Sequence, residues 1–142
     1  MIHFQLVALS GTKYDDEVYE VILPTLDGEI GVLQDHMPLV SVATTGAIAV
    51  RRDPKVSDAA RDFFAISGGV IEVSDNNLRV LVDEADHAED INAAEAEAAV
   101  ERAKKLKAEA KDQVSLDHAQ QLVDRSTVRL HVANLKRRSQ KH

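Results

Sequence analysis

The 142-residue chain contains no cysteine and no tryptophan, and only 4% of its residues are aromatic. Without cysteine the chain cannot form a disulfide, a thiolate metal site or a thiol nucleophile. Scarce aromatic rings argue against a surface that stacks the bases of single-stranded nucleic acid. The formal net charge of −7 also disfavours nonspecific binding to polyanions, so we expect no nucleic acid partner.

Long apolar runs are also missing. No segment approaches the roughly 18 apolar residues of a membrane-spanning helix. The first ten residues lack a cationic start, and His3 and Gln5 interrupt their apolar run, so we expect no cleaved signal. Any membrane association is therefore expected to go through a protein partner, without direct insertion.

Charge is divided unevenly along the chain. Residues 1–90 carry 6 Lys and Arg against 17 Asp and Glu, a net charge of −11. Residues 91–142 carry 11 against 7, a net charge of +4. An acidic first part and a basic second part indicate two units with different partners.

Short apolar segments separated by turn residues dominate the first 85 residues. Asp27-Gly28, Asp53-Pro54 and Gly68-Gly69 are among the turn signals between them. About eight strands at this regular spacing predict an antiparallel β-sandwich or barrel over residues 1–85. No connection is long enough to supply a helical crossover for a parallel sheet.

Two alanine-rich helices are predicted after an acidic linker at residues 86–90. Ala96, Ala99, Ala103, Leu106 and Ala110 recur at steps of three and four, which is typical of one helix face. A second stripe of this kind runs from residue 116 to residue 133. The sequence thus predicts an α+β protein in which residues 86–142 hold the linker and an antiparallel helical hairpin.

The start and the strength of the hairpin follow from residue types. Asn92 is suited to cap the first helix, with Glu95 three positions later. Because alanine buries little apolar area, we expect a weakly held hairpin that can open or change partners. The alternative is that alanine only stabilises the helices, since it is the best helix former.

Catalytic and metal-binding patterns are sparse. The six histidines show no metal-ligand spacing, and no nucleophile is paired with a base, so we expect neither a catalytic residue nor a metal site. Ser67-Gly68-Gly69 precedes a strand and no helix, which predicts a tight turn or bulge with positive φ and not a phosphate loop. Glu29, Asp35 and His36 are expected to cluster at one end of the sandwich as the rim of an interface.

Three sequence blocks together resemble the epsilon subunits of bacterial F-type ATP synthases. They are Gly28–Leu33, His36-x-Pro38-Leu39 and Phe64–Val73, and the alanine-rich hairpin follows them. The resemblance covers essentially the whole chain. It implies a non-catalytic rotor subunit that packs on the gamma subunit and the c ring, peripheral to the cytoplasmic side of a bacterial plasma membrane.

The resemblance also implies roles for individual residues. Glu29 and His36 match family positions that face the polar loops of the c ring. In an extended state, the hairpin would run along gamma to the beta and alpha subunits and block ATP hydrolysis. Its basic residues are then expected to meet acidic protein surfaces: Arg125, Arg129, Lys136, Arg137 and Arg138.

One departure from the family concerns nucleotide. Members whose hairpin binds ATP begin the first helix with Ile/Leu-Asp-x-x-Arg-Ala, whereas this chain has Ile91, Asn92, Glu95 and Ala96 at the defined positions. A carboxylate in place of a cation repels phosphate, even though Arg125 and Arg129 match the distal arginines of those members. ATP binding is therefore expected to be weak or absent, and no cofactor is expected.

A second departure from the family is Asp35, which stands where the family commonly has glycine. The conformation of the loop that carries Asp35 is therefore left open.

The alternative to a rotor subunit is an unrelated protein-binding module that uses the basic helical hairpin.

Overall fold

The computed structural model describes residues 1–140, without the side chains of Ala59 and residues 138–140. The strands are β1 (Ile2–Ala8), β2 (Gly11–Val18), β3 (Glu20–Thr25), β4 (Gly28–Leu33), β5 (Leu39–Ala43), β6 (Gly46–Arg51), β7 (Asp62–Ile66), β8 (Gly69–Ser74), β9 (Asn77–Val82) and β10 (Ala85–His87). The helices are α1 (Ala93–Glu109) and α2 (Gln113–Gln140), and short 3-10 helices span Asp58–Ala60 and Ala88–Asp90.

The strands form one folded sheet in the order β10-β7-β6-β3-β5-β8-β9-β1-β2, with β4 paired on β3. β3 pairs with β6 at its start and with β5 only through Thr25 and Ala43, so the sheet divides there into two halves. Buried side chains from both halves share one core, among them Phe4, Leu23, Ile48, Phe64, Ile71 and Leu78. The predicted β-sandwich is confirmed.

One strand pair does not follow the predicted antiparallel arrangement. His3–Val7 of β1 runs parallel to Asn77–Leu81 of β9, while the other strand pairs are antiparallel among the residues described. A parallel pair requires a long connection. Here the seven strands between β1 and β9 supply that connection, so the two strands can pair in parallel without a helical crossover.

The two edges of the sheet were not foreseen. β2 is mostly polar and exposed, and it pairs only with β1. β10 includes Asp86 and His87, which were expected in an acidic linker but pair instead with Ala65 and Phe64 of β7. The linker prediction is wrong for these residues because an edge strand is held by backbone hydrogen bonds and has little need of apolar side chains.

The helical hairpin is confirmed, and both helices have side-chain caps. Asn92 Oδ1 accepts a hydrogen bond from the Glu95 amide at 3.0 Å, as the capping pattern predicts. Asp112 Oδ1 accepts one from the Ser115 amide at 2.7 Å at the start of α2. This hydrogen bond holds the pKa of the Asp112 carboxyl below its usual value of 3.8.

The predicted apolar stripe of α1 is correct only in its first part. Ala96 and Ala103 are buried and Val100 is buried with them, whereas Leu106 is 50% exposed. Near the interhelical turn, Leu106 and Ala119 line an open groove of about 500 Å³. The helices therefore pack closely at the end of the hairpin that is nearer to the sheet.

Strand β7 fixes where the hairpin sits. Phe64 and Ile66 point into the sandwich core. Phe63 and Ala65, on the opposite face, join a second apolar cluster with Val132 of α2. The two faces of one strand thus connect the sandwich to the hairpin.

The glycines of the Ser67-Gly68-Gly69 segment have a different role from the predicted one. Neither has a positive φ, whereas Gly28 in the Asp27-Gly28 turn does, with φ 110°. A Cβ at Gly68 would lie 3.0 Å from the Ala43 carbonyl oxygen, and a Cβ at Gly69 would overlap the Leu81 carbonyl oxygen. Close approach of neighbouring backbone therefore explains the glycine pair.

We expect Gly69→Ala to destabilise the protein by about 3 kcal/mol or more, because the new methyl group forces two paired strands apart. Gly31→Ala is the matched control, since a Cβ there would meet only Glu20 Oε2 at 3.9 Å. Urea unfolding of both variants measures the difference. Equal midpoints for the two variants would contradict the steric explanation.

Candidate functional site

The first candidate surface is the face of α2 that lies on the sheet. Val132 and Ala133 are buried there against Ala65, and the half-buried Val128 packs on the same cluster. Ala47 of β6 and Phe63 of β7 belong to the same cluster on the sheet side. The apolar contact that holds α2 on the sheet therefore combines one aromatic ring with smaller side chains.

Charged side chains flank this apolar contact and join α2 to the acidic segment around β10. The ion pairs are Arg125 Nη1–Glu84 Oε1 at 3.6 Å, Arg129 Nη1–Asp86 Oδ2 at 3.4 Å and Lys136 Nζ–Glu89 Oε1 at 3.9 Å. We call these six side chains the ion-pair row. Three of the basic residues expected to meet acidic partners therefore face acidic groups of their own chain.

Sequence reasoning placed the basic and acidic residues correctly but did not pair them. The available signal was the one-turn spacing of Arg125 and Arg129, together with the acidic run that ends at Asp90. What could not be predicted is that α2 crosses the sheet beside β10. Arg137 lies exposed on α2, and the side chain of Arg138 falls outside the described residues.

The residues that match the nucleotide motif serve the start of α1. Ile91 and Ala96 are buried in the apolar cluster, Asn92 caps the helix, and Glu95 is exposed. A cavity of about 10 Å³ remains between the sheet and the two arginines, with room for about one water molecule. Arg125 also lines an open cleft of about 270 Å³, where the carboxylates of Asp83 and Asp124 disfavour a polyphosphate.

Glu29 and His36 do not form the single cluster that was expected. Glu29 pairs with Pro24 near the β3–β4 turn, at the start of β4. His36 follows the other end of β4, where its amide donates to the Leu33 carbonyl oxygen at 3.2 Å. About 13 Å of extended strand separates Glu29 from Leu33.

The loop that carries His36 is held from outside by the β8–β9 turn. Asp35 has φ 65°, so it adopts the left-handed conformation that glycine would favour. Its amide donates to Asn76 Oδ1 at 2.7 Å, and Asn76 Nδ2 donates to Asp35 Oδ1 at 3.4 Å. These reciprocal hydrogen bonds show how an aspartate is accommodated at this position.

The same loop presents polar and apolar groups together. His36 Nδ1 lies 2.7 Å from the Met37 carbonyl oxygen, and the Met37 side chain is 77% exposed. The N-terminal amine donates to Gln34 Oε1 at 2.6 Å, which ties the loop to β1 as well. A loop held at both sides is suited to present His36 and Met37 in one geometry.

An exposed apolar face lies on strands β5 and β8. Val42 is directly opposite Val70, and both are exposed together with Val40, which is 76% exposed. Contiguous apolar side chains on a surface are typical of a protein interface. Sequence reasoning did not identify this face, because the exposed positions of β5 are valines and no polar side chain marks them as exposed.

Two features of enzymes and membrane proteins have no counterpart in residues 1–140. None of the helices described there is long and apolar enough to span a bilayer. Among the described side chains, no group of three His, Asp or Glu residues is arranged to hold a metal ion.

Two family models match the chain in sequence. One describes the beta-sandwich domain of the ATP synthase delta/epsilon chain and matches residues 1–88. The other describes the long alpha-helix domain of the same chain and matches residues 89–134. Together they cover both units of the fold.

Individual relatives agree with these models. The chain is 34% identical over 133 residues to an ATP synthase epsilon chain of Halalkalibacterium halodurans, covering 93% of this chain and 96% of the relative. It is 33% identical to an ATP synthase epsilon chain of Lactobacillus delbrueckii subsp. bulgaricus, covering 93% and 92%.

Solved structures share the fold. A chain of the Euglena gracilis mitochondrial ATP synthase, in an assembly described as OSCP/F1/c-ring, matches with a TM-score of 0.74 at 23% identity, covering 87% of this chain and 75% of that one. A chain of the Tetrahymena thermophila enzyme, in an assembly described as central stalk/cring, matches with a TM-score of 0.60 at 13% identity, covering 92% and 95%.

We expect Asn76→Gly to loosen the loop that carries His36, because glycine keeps the left-handed backbone but removes the side-chain carboxamide that binds Asp35. Loss of the hydrogen bond from the backbone amide of Asp35, worth about 1 kcal/mol, corresponds to about fivefold faster hydrogen exchange of that amide. Asp35→Gly is the control, since its amide can still donate to Asn76. An unchanged exchange rate in Asn76→Gly would show that Asn76 does not hold the loop.

Proposed function

The chain belongs to the ATP synthase delta/epsilon family as an epsilon chain, and from this premise we propose that it is a non-catalytic rotor subunit of an F-type ATP synthase. In this role it couples the catalytic head to the c ring through gamma during proton-driven ATP synthesis. The observation that carries the proposal is the match of both family models, in order, to residues 1–134. The same match excludes the alternative of an unrelated binding module.

The exposed surfaces of the sandwich support the proposed partners. The apolar face at Val40, Val42 and Val70 has the composition of a protein interface, and we assign it to gamma. Glu29 and His36 are proposed to meet polar loops of the c ring, as the resemblance implies. Because they lie at opposite ends of β4, we propose that they do so through separate contacts.

The location follows from these partners. A chain that binds gamma and the c ring is peripheral to the membrane and lies on the side of the catalytic head. For a bacterial enzyme this is the cytoplasmic side of the plasma membrane. Two similar chains come from assemblies whose descriptions name a c ring or a central stalk, which supports this placement.

The hairpin is proposed to inhibit ATP hydrolysis. In the docked state it lies on β6 and β7 through one apolar cluster that includes Ala47, Phe63 and Val132. Once extended, its basic residues, including Arg125, Arg129 and Arg137, would face beta and alpha subunits of the head. Acidic surfaces there would replace the carboxylates of the docked state.

Deletion of residues 92–142 tests this proposal. In membranes that carry the assembled enzyme, ATP hydrolysis should rise severalfold relative to the full-length chain, because the inhibitory element is gone. Gamma and c subunits should still co-purify with the truncated chain, since the sandwich is intact. Unchanged hydrolysis would remove the inhibitory role, and loss of co-purification from the full-length chain would remove the rotor assignment.

We also propose that the hairpin binds ATP weakly or not at all. Glu95 stands where ATP-binding members carry a cation, and both matching arginines are paired with carboxylates. Calorimetric titration of the full chain should give a Kd weaker than about 1 mM. Asn92→Asp/Glu95→Arg should strengthen binding measurably, while micromolar affinity of the unaltered chain would contradict the proposal.

A further inference from the structure

The hairpin contact joins acidic residues of the sheet to basic residues of α2. Asp86 belongs to β10, whose backbone is paired with β7, so the sheet fixes the position from which its carboxylate extends. Glu84 lies two residues earlier, and its amide donates to Ser67 Oγ at 2.9 Å. Arg125 and Arg129 lie one turn apart on α2 and carry no comparable link to the sheet backbone.

We propose that the ion-pair row is an electrostatic latch that holds the hairpin on the sandwich, and that release exchanges its carboxylates for acidic groups of the catalytic head. The inference rests on the proposed inhibitory function and adds how that function is regulated. The same arginines serve both states: they pair with Glu84 and Asp86 when docked and with a partner when extended.

Apolar packing and charge act together at this contact. Ala47, Ala65 and Ala133 are small, but Phe63, Val128 and Val132 belong to the same cluster. Arg125 and Arg129 line the narrow space between α2 and the sheet beside that cluster. The ion pairs therefore add to the apolar contact, and they are the part of the docking energy that salt can weaken.

Exposure makes the latch sensitive to ions. Arg125 and Arg129 are 37% and 42% exposed, and Glu84 is 60% exposed, so solvent and salt reach every pair. Screening over about 8 Å at physiological ionic strength weakens such pairs as salt rises. Each ion pair contributes only a modest free energy to docking, but all of them break together when α2 leaves the sheet.

An exchange of partners predicts an asymmetry between the two sides of the latch. Neutralising Glu84 and Asp86 removes the carboxylates that pair with the arginines in the docked state, while the arginines can still pair with acidic groups of the catalytic head. Neutralising the arginines removes their ion pairs in both the docked and the extended state. The first change should therefore deepen inhibition of ATP hydrolysis, whereas the second should not.

The enzyme test uses membranes that carry the assembled ATP synthase with a full-length chain. With Glu84→Gln/Asp86→Asn, ATP hydrolysis should fall about two- to tenfold, as expected for the loss of two exposed ion pairs. With Arg125→Gln/Arg129→Gln it should not fall. Asp16→Asn/Asp53→Asn likewise neutralises two carboxylates, at exposed sandwich positions, and should leave hydrolysis unchanged.

A second measurement follows docking in the isolated full chain. Because the chain has no cysteine, Lys13→Cys/Val114→Cys supplies the only two thiols for a donor and an acceptor dye. Energy transfer between the sandwich and the hairpin should change from its docked value as NaCl rises from 50 to 500 mM, an interval of about one decade over which exposed pairs are increasingly screened. In the Glu84→Gln/Asp86→Asn background, the salt response should largely disappear.

The two measurements separate the possible failures. If energy transfer responds neither to salt nor to neutralisation of the acids, the latch is overturned, even where truncation of residues 92–142 still activates hydrolysis. If truncation has no effect while energy transfer responds as expected, the inhibitory function fails and the latch stands. Restored docking in Glu84→Lys/Asp86→Lys combined with Arg125→Glu/Arg129→Glu supports direct pairing, and its absence with a folded chain counts against it.

Discussion

Strand β7 is apolar on both faces over residues 63–66, and both units of the molecule depend on covering these side chains. Phe64 and Ile66 are covered by the sandwich core, whereas Phe63 and Ala65 need a cover from outside. Val132 of α2 supplies that cover, and β10 closes the edge of the same strand. The sandwich therefore includes a site for the hairpin as part of its own sheet, and a released hairpin leaves an apolar strip behind.

The fold could be predicted from the sequence wherever side chains alternate or turns are marked. The central strands, the hairpin, the cap at Asn92 and the turn at Gly28 all follow from local chemistry. The edge strands β2 and β10 could not be found in this way, because their residues are polar and their order comes from a neighbouring strand. The close approach of Leu81 to Gly69 is also invisible in the sequence, since it joins segments that periodicity treats separately.

The candidate surfaces could be predicted only in part. The division of charge into −11 and +4 predicted two units, and two family models meet near the change of sign. It did not show that the basic unit lies on the acidic one, because this depends on the path of α2 beside β10. In the same way, the loop at Asp35 depends on Asn76, which lies 41 residues away along the chain. In both cases the decisive contact is between distant segments.

The parallel pairing of β1 with β9 has a consequence for how the chain acquires its structure. The first strand meets its inner neighbour only after residues 77–81 exist, so that edge of β1 stays unpaired through most of synthesis. Contacts between such distant segments close slowly, and exposed strand edges invite association in the meantime. The polar, acidic composition of β2, which covers the other edge of β1, is of the kind that discourages association at a strand edge.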